Sequence, residues 1–291
     1  MTQNFIPIQP ILTGPGSQPG QPGDEDWSCL PLPAEVETYR APPLPEPGEP
    51  GADAVRQLLR RVVDAYQADP DPARTLSFAL DRLDAPAHRL LAQVLAEGEV
   101  SARIVLPEGG SVEIQESRYP GVWRVVTLGA SGQRQDDRIE VGAIPAVVLE
   151  QAAAAPVGAR IPPTEGYELM NAPAIANEIA AAHMRAVEAA GAINHTVNFS
   201  LLPLSPGDTA WLEAMLGEGS IGLFSTGYGK CMVMATTLRH VWRVRYSDGV
   251  GKVLLDTVEI TRIPEVVLAA PDDLSDSMEH LRQIIDWLEP R

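Results

Sequence analysis

Trp242-Arg243-Val244, with Asp256, Glu259 and Ile263-Pro264-Glu265-Val266-Val267-Leu268 downstream, has a counterpart earlier in the same chain. Trp123-Arg124-Val125, Asp137, Glu140 and Ile144-Pro145-Ala146-Val147-Val148-Leu149 stand at a constant offset of 119 residues. Upstream the offset is 121. There Thr75-Leu76-Ser77-Phe78-Ala79-Leu80 aligns with Thr196-Val197-Asn198-Phe199-Ser200-Leu201, Leu91 with Leu212, Leu95 with Leu216, and Glu97-Gly98 with Glu218-Gly219. Self-similarity held in register over such a span marks an internal repeat. The expected organisation is an arm at 1–51, a first unit at 52–155, a linker at 156–172, and a second unit at 173–291 ending in an extra helix.

Each unit reads the same way. Val55, Leu58, Leu59, Val62, Val63 and Tyr66 recur at i, i+3, i+4 and predict a helix, with a counterpart over 173–190. An alternating strand follows, which puts Val197, Phe199 and Leu201 on one face. A second helix then begins at Ser205 as N-cap, with Pro206 at the first helical position and Asp208 in the first turn. Asp84 takes the cap position in the first unit, and Gly98 and Gly219 are expected to end these helices as left-handed glycines. Strands are predicted at 221–225, 231–237, 241–246 and 252–260. Trp242, Val244 and Tyr246 share one face against Val241, Arg243 and Arg245 on the other, which suits an antiparallel sheet with one covered face. Leu274, Met278, Leu281, Ile284, Ile285 and Leu288 form the apolar stripe of a last helix. The fold class is α+β: an internally duplicated unit of two helices packed on a small, mainly antiparallel sheet, preceded by a Pro-rich extended arm.

The arm differs in composition. The first 50 residues hold 12 of the 27 prolines, and seven acids against Arg40. Proline fixes φ and removes a donor, so neither a long helix nor a central strand fits. Apolar residues spaced along it, from Phe5 to Trp27 and Leu44, predict an arm lying partly on a domain.

Composition excludes several functions. Across 291 residues, 22 Lys+Arg face 39 Asp+Glu, a net charge of −17, which opposes binding to nucleic acid or to an anionic membrane. The start lacks the basic and apolar regions of a secretory signal, and no apolar run reaches membrane-span length; the expectation is a cytoplasmic protein. Gly217-Glu218-Gly219-Ser220-Ile221-Gly222 carries the letters of a dinucleotide loop but follows a helix and precedes a strand, the reverse of what phosphate binding at a helix N-terminus needs. The five histidines have no metal-ligand spacing, and Cys29 and Cys231 belong to no C-x-x-C. Asp137/Asp256 and Glu140/Glu259 read as structural acids at a turn or edge. No cofactor and no enzymatic activity are expected. Cys231 reads as a small buried hydrophobe; with Lys230 beside it and both exposed, its thiol pKa would fall, which leaves a redox or iron-handling role as the alternative.

One segment stands out as a candidate protein-binding tip: Gly227-Tyr228-Gly229-Lys230-Cys231, where two glycines turn the chain around an aromatic side chain. That segment, with Gly14-Pro15-Gly16-Ser17-Gln18-Pro19, Thr38-Tyr39-Arg40-Ala41-Pro42, Leu44-Pro45-Glu46-Pro47, Asn198-Phe199-Ser200-Leu201-Leu202-Pro203, Val241-Trp242-Arg243-Val244-Arg245-Tyr246 and Ile263 to Ala270, resembles the HupH/HyaF/HoxQ family of hydrogenase expression/formation proteins. The resemblance covers essentially the whole chain and is strongest over 196–290. The chain departs from the family pattern at Lys230, where Asn is usual, and at Arg243, where a second aromatic is usual. What the resemblance implies is an accessory protein of uptake [NiFe] hydrogenase that binds the iron–sulfur small-subunit precursor before its twin-arginine export, with a thioredoxin-like companion. The contact candidates are then Gly227, Tyr228, Gly229, Lys230, Cys231, Gly14, Gly16, Ser17 and Tyr39.

Overall fold

A computed structural model describes residues 45–69, 71, 74–158, 161–226, 230–248 and 251–289. The first half runs α1 (Ala52–Ala68), β1 (Leu76–Ala79), α2 (Ala85–Leu95), β2 (Val100–Val105), β3 (Ser111–Glu116), β4 (Val122–Leu128), β5 (Arg134–Val141) and α3 (Ala146–Ala154). The second runs α4 (Ala172–Glu188), β6 (His195–Asn198), α5 (Pro206–Leu216), β7 (Ile221–Ser225), β8 (Lys230–Ala235), β9 (Val241–Ser247), β10 (Val253–Ile260) and α6 (Pro271–Trp287). In each half the short first strand pairs with the last strand of a four-stranded meander.

Two separate small sheets do not form. β2 pairs with β7, Ala102 opposite Leu223, and the halves fuse into one antiparallel ten-stranded sheet of order β1-β5-β4-β3-β2-β7-β8-β9-β10-β6. This pairing satisfies the backbone groups that two free meander edges would have left open. One sheet face carries α1, α2 and α6 over Val122, Ile139 and Val141 at one end, and α4 and α5 over Val197, Val241, Val258 and Ile260 at the other. The opposite face gathers Ile114, Trp123, Val125, Leu223, Val233, Trp242 and Val244 under α3 and the segment containing Ile263 and Val267. The stripe of α6 returns to the first half: Leu274, Met278, Leu281, Ile284 and Ile285 join the α1/α2 cluster, and the Ser277 hydroxyl donates to the Pro120 carbonyl at 2.9 Å.

Local signals explain most boundaries. Ser205 and Asp208 form a reciprocal capping box, and the Asp84 carboxylate accepts from the Ala87 N–H at 2.9 Å. Two expectations are corrected. The residues that end these helices are Ala96 (φ 47°, ψ −169°) and Gly217 (φ 60°, ψ −179°), with positive φ but extended ψ, not left-handed Gly98 and Gly219. Gly98 and Gly219 instead lie flat against neighbouring strands: their N–H groups donate to the Glu116 and Ala235 carbonyls at 2.8 and 2.9 Å, leaving no room for a Cβ. The second correction is the strand through Leu201. β6 ends at Asn198, and a 3₁₀ turn over Phe199–Leu201 buries Phe199 while turning Leu201 out to 80% exposure.

Candidate functional site

The repeated Trp-Arg-Val segments place identical devices in the two halves. The indole N–H of Trp123 donates to the Gly142 carbonyl at 2.9 Å, and that of Trp242 to the Thr261 carbonyl at 3.3 Å. Arg124 forks onto Asp137 at 3.1 and 2.9 Å, as Arg243 does onto Asp256 at 3.0 and 2.8 Å. Bidentate pairing of this kind fixes the register between β4 and β5 and between β9 and β10. Asp137 and Asp256 therefore sit inside strands as ion-pair partners rather than at a turn. They also stand on β5 and β10, with six strands between them in the sheet order, so the two acid sets do not converge on a shared catalytic cleft.

The other sheet face is where the halves diverge. In the first half, Glu140 is buried and satisfied: Arg138 donates to it at 2.6 Å, its second oxygen accepts from the Ala146 N–H at 2.7 Å at the start of α3, and Arg138 also pairs with Asp136. The equivalent positions in the second half hold Leu255, Thr257 and Glu259, with Glu265 where Ala146 stands. Pro271 interrupts the would-be counterpart of α3, so only a 3₁₀ turn over Glu265–Val267 forms before α6. Glu259 thus keeps its carboxylate without the arginine. Burial pushes its pKa up, the Thr257 hydroxyl pulls it partly back, and Glu265 raises it further.

Glu259 and Glu265 line a cleft of about 800 Å³ with Tyr246, His195, Val266 and Leu268. Tyr246, Val266 and Leu268 are shared with a neighbouring pocket that holds Cys231, Glu99, Glu116 and Asp273. Cys231 and Tyr246 are directly opposed across β8 and β9, and their thiol and hydroxyl are hydrogen-bonded. Burial and the thiol drive Tyr246 up to about 12. Glu116 rises to about 6 through burial, with Glu99 and Asp273 adding to it against backbone N–H bonds. Among the described residues, no lysine or arginine lines either pocket.

Lys230 and Cys231 begin β8, but successive strand residues face opposite ways. Lys230 is exposed, Cys231 is 5% exposed, and burial pushes the thiol pKa up rather than down. Gly227, Tyr228, Gly229, Gly14, Gly16, Ser17 and Tyr39 lie outside the described residues. Among the described residues, no group of three or more His, Cys, Asp or Glu is placed to hold a metal ion, and no helix is long and apolar enough to cross a membrane. Sequence reasoning missed Tyr246, Glu116 and the cleft. The available signal was the exchange of Arg138 for Thr257 and of Ala146 for Glu265 at the constant offset of 119 residues.

Comparison with known proteins shows the family. The family model for "HupH hydrogenase expression protein, C-terminal conserved region" matches residues 52–156 and 169–288. Hydrogenase expression/formation protein HoxQ of Cupriavidus necator is 40% identical over 98% of this chain and 99% of its own. HupQ of Azotobacter chroococcum is 37% identical over 98% and 100%, and the hydrogenase-1 operon protein HyaF of Escherichia coli is 35% identical over 95% of each. A solved hydrogenase expression protein HupH from Thiobacillus denitrificans aligns at TM-score 0.36 and 28% identity over 39% of this chain and 92% of that one. The chain belongs to the HupH family of hydrogenase expression proteins.

Proposed function

We propose that this chain acts in hydrogenase maturation as a binding protein rather than a catalyst. In this reading it is a cytoplasmic assembly chaperone that holds the iron–sulfur small-subunit precursor of an uptake [NiFe] hydrogenase before twin-arginine export, beside a thioredoxin-like companion. Support for the maturation role comes from relatives named as hydrogenase expression/formation proteins along nearly the whole chain. The observation that carries binding over catalysis is the acid-lined, apolar-walled cleft of the second half. A carboxylate there has lost its internal arginine, and the neighbouring thiol and phenol hold their protons tightly. A net charge of −17 steers a basic precursor segment towards such a surface.

The two halves are read as copies of one ancestral unit, over 52–155 and 173–291, with 156–172 as the linker. The first then serves as scaffold and the second as the binding half. Arm residues Gly14, Gly16, Ser17 and Tyr39, and the tip at 227–231, are proposed as further contacts. A redox or iron-handling role for Cys231 is not favoured, because a buried thiol with a raised pKa is a poor nucleophile and ligand.

Deletion of the gene in its host tests this. The expected phenotype is normal processing of the large subunit with accumulation of unexported small-subunit precursor, rescued by the wild-type gene. Accumulation of large-subunit precursor alone would refute the assignment to the small subunit.

A further inference from the structure

We infer that the cleft around Glu259 is a receptor for a single arginine side chain, presented by an extended, otherwise apolar segment of a partner protein. The first half displays the filled version of this site. There Glu140 is held by Arg138 at 2.6 Å and by the Ala146 N–H at 2.7 Å. The second half retains the glutamate at the equivalent place on β10, removes the arginine (Thr257) and the opposing acid (Leu255), and adds a second carboxylate, Glu265. The molecule itself therefore shows which group satisfies this carboxylate on this sheet face: a guanidinium arriving along the strand.

The surroundings match that occupant. A volume of about 800 Å³ accommodates an arginine side chain and its neighbours. Tyr246 lines the cleft, and an aromatic ring is a group with which a guanidinium interacts favourably. Val266 and Leu268 are each 36% exposed at the rim, apolar surface suited to residues flanking the arginine. His195, the other titratable group lining the cleft, is engaged by Glu178 at 2.9 Å. With Glu99, Glu116 and Asp273 in the adjoining pocket, the field along the cleft is negative. Arginine is favoured over lysine, because its planar fork can bridge Glu259 and Glu265 together.

The inference does not depend on which hydrogenase subunit supplies the arginine. A synthetic peptide, acetyl-Leu-Arg-Leu-amide, and its isosteric citrulline counterpart are titrated into the full chain and followed by NMR. The expected result is saturable shifts at Tyr246, Val266 and Leu268 with the arginine peptide, and at least tenfold weaker binding of the citrulline peptide. Glu259→Gln, which preserves volume, should cost a similar factor. Thr257→Arg, which supplies the guanidinium from within, should raise the melting temperature and abolish binding. Equal binding of both peptides, or undiminished binding to Glu259→Gln, would overturn the inference, and Glu259→Gln decides it if Thr257→Arg fails to fold. Retained capture of the hydrogenase precursor by Glu259→Gln would refute the arginine pocket while leaving the maturation role intact.

Discussion

Asp208 is the side chain whose removal should be felt most clearly, because it ties together the starts of two helices. It has no exposed surface, and one carboxylate oxygen accepts from the Met170, Asn171 and Ala172 N–H groups at 2.8, 3.1 and 2.9 Å at the start of α4. The other accepts from the Ser205 N–H at 3.0 Å at the start of α5. Burial alone would raise the carboxyl pKa, but the four N–H donors outweigh it and hold the group well below the usual carboxylate range. In Asp208→Asn, three bonds fall from charge-assisted to neutral strength, roughly 1 kcal/mol each, and the amide meets the Ser205 N–H donor to donor, for about 1 kcal/mol more. Relief from burying a charge offsets part of this, leaving a net loss of about 3 kcal/mol at pH 7. At roughly 2–4 °C per kcal/mol for a domain of this size, the melting temperature should fall by about 6–12 °C. Because the folded pKa is depressed, this stabilisation is present above the unfolded value near 4 and is lost as pH falls through the folded one. Urea titrations of wild type and Asp208→Asn at pH 7 and at successively lower pH provide the measurement. A difference below about 0.5 kcal/mol at pH 7, or one that does not shrink on acidification, would refute the assignment of the carboxylate as the link between α4 and α5.

Glu116 carries the opposite sign. Its folded pKa of about 6 lies above the ordinary 4.5, so its favourable protonated contribution is full below about 4.5 and lost as pH rises through about 6. Glu116→Gln should therefore be more stable than wild type above pH 7, by on the order of 2 kcal/mol, and indistinguishable near pH 4.5, as read by thermal melts across that range. Cys231 should resist thiol reagents in the native protein and react on denaturation, measured in a Cys29→Ser background; Cys231→Ser should retain hydrogenase maturation. Gly219→Ala should destabilise by about 2 kcal/mol or more in denaturant melts, since its Cβ would lie 2.5 Å from the Thr236 carbonyl oxygen, a backbone atom that cannot step aside.

Residues with a strictly local physical signature disclosed their structure from sequence. Ser205 and Asp208 cap α5 because the cap chemistry is contained within four residues. The Trp-Arg-Val segments disclosed strands because their side chains alternate between two faces, but their ion pairs to Asp137 and Asp256 on the adjacent strands are a feature of the pairing that the sequence does not state. Longer-range features stayed hidden. Nothing in β2 or β7 says that these two edges meet, since either alternating pattern would suit an edge strand equally. The stripe on α6 announces burial but not its site, and the helix packs on α1 rather than within its own half. Gly98 and Gly219 looked like helix ends because glycine favours both positive φ and close backbone approach, and only the structure separates the two. The Glu259 cleft escaped notice for a related reason: the repeated glutamate drew attention, whereas the informative change was at Thr257, where an arginine is missing.

Co-purification of the full chain with the hydrogenase small-subunit precursor, with and without its signal peptide, at low and high salt, tests the binding role most directly. The expected result is capture that requires the signal peptide and weakens as salt screens the acidic surface. Failure to capture the precursor under any condition, in a host whose hydrogenase maturation still depends on this chain, would contradict it.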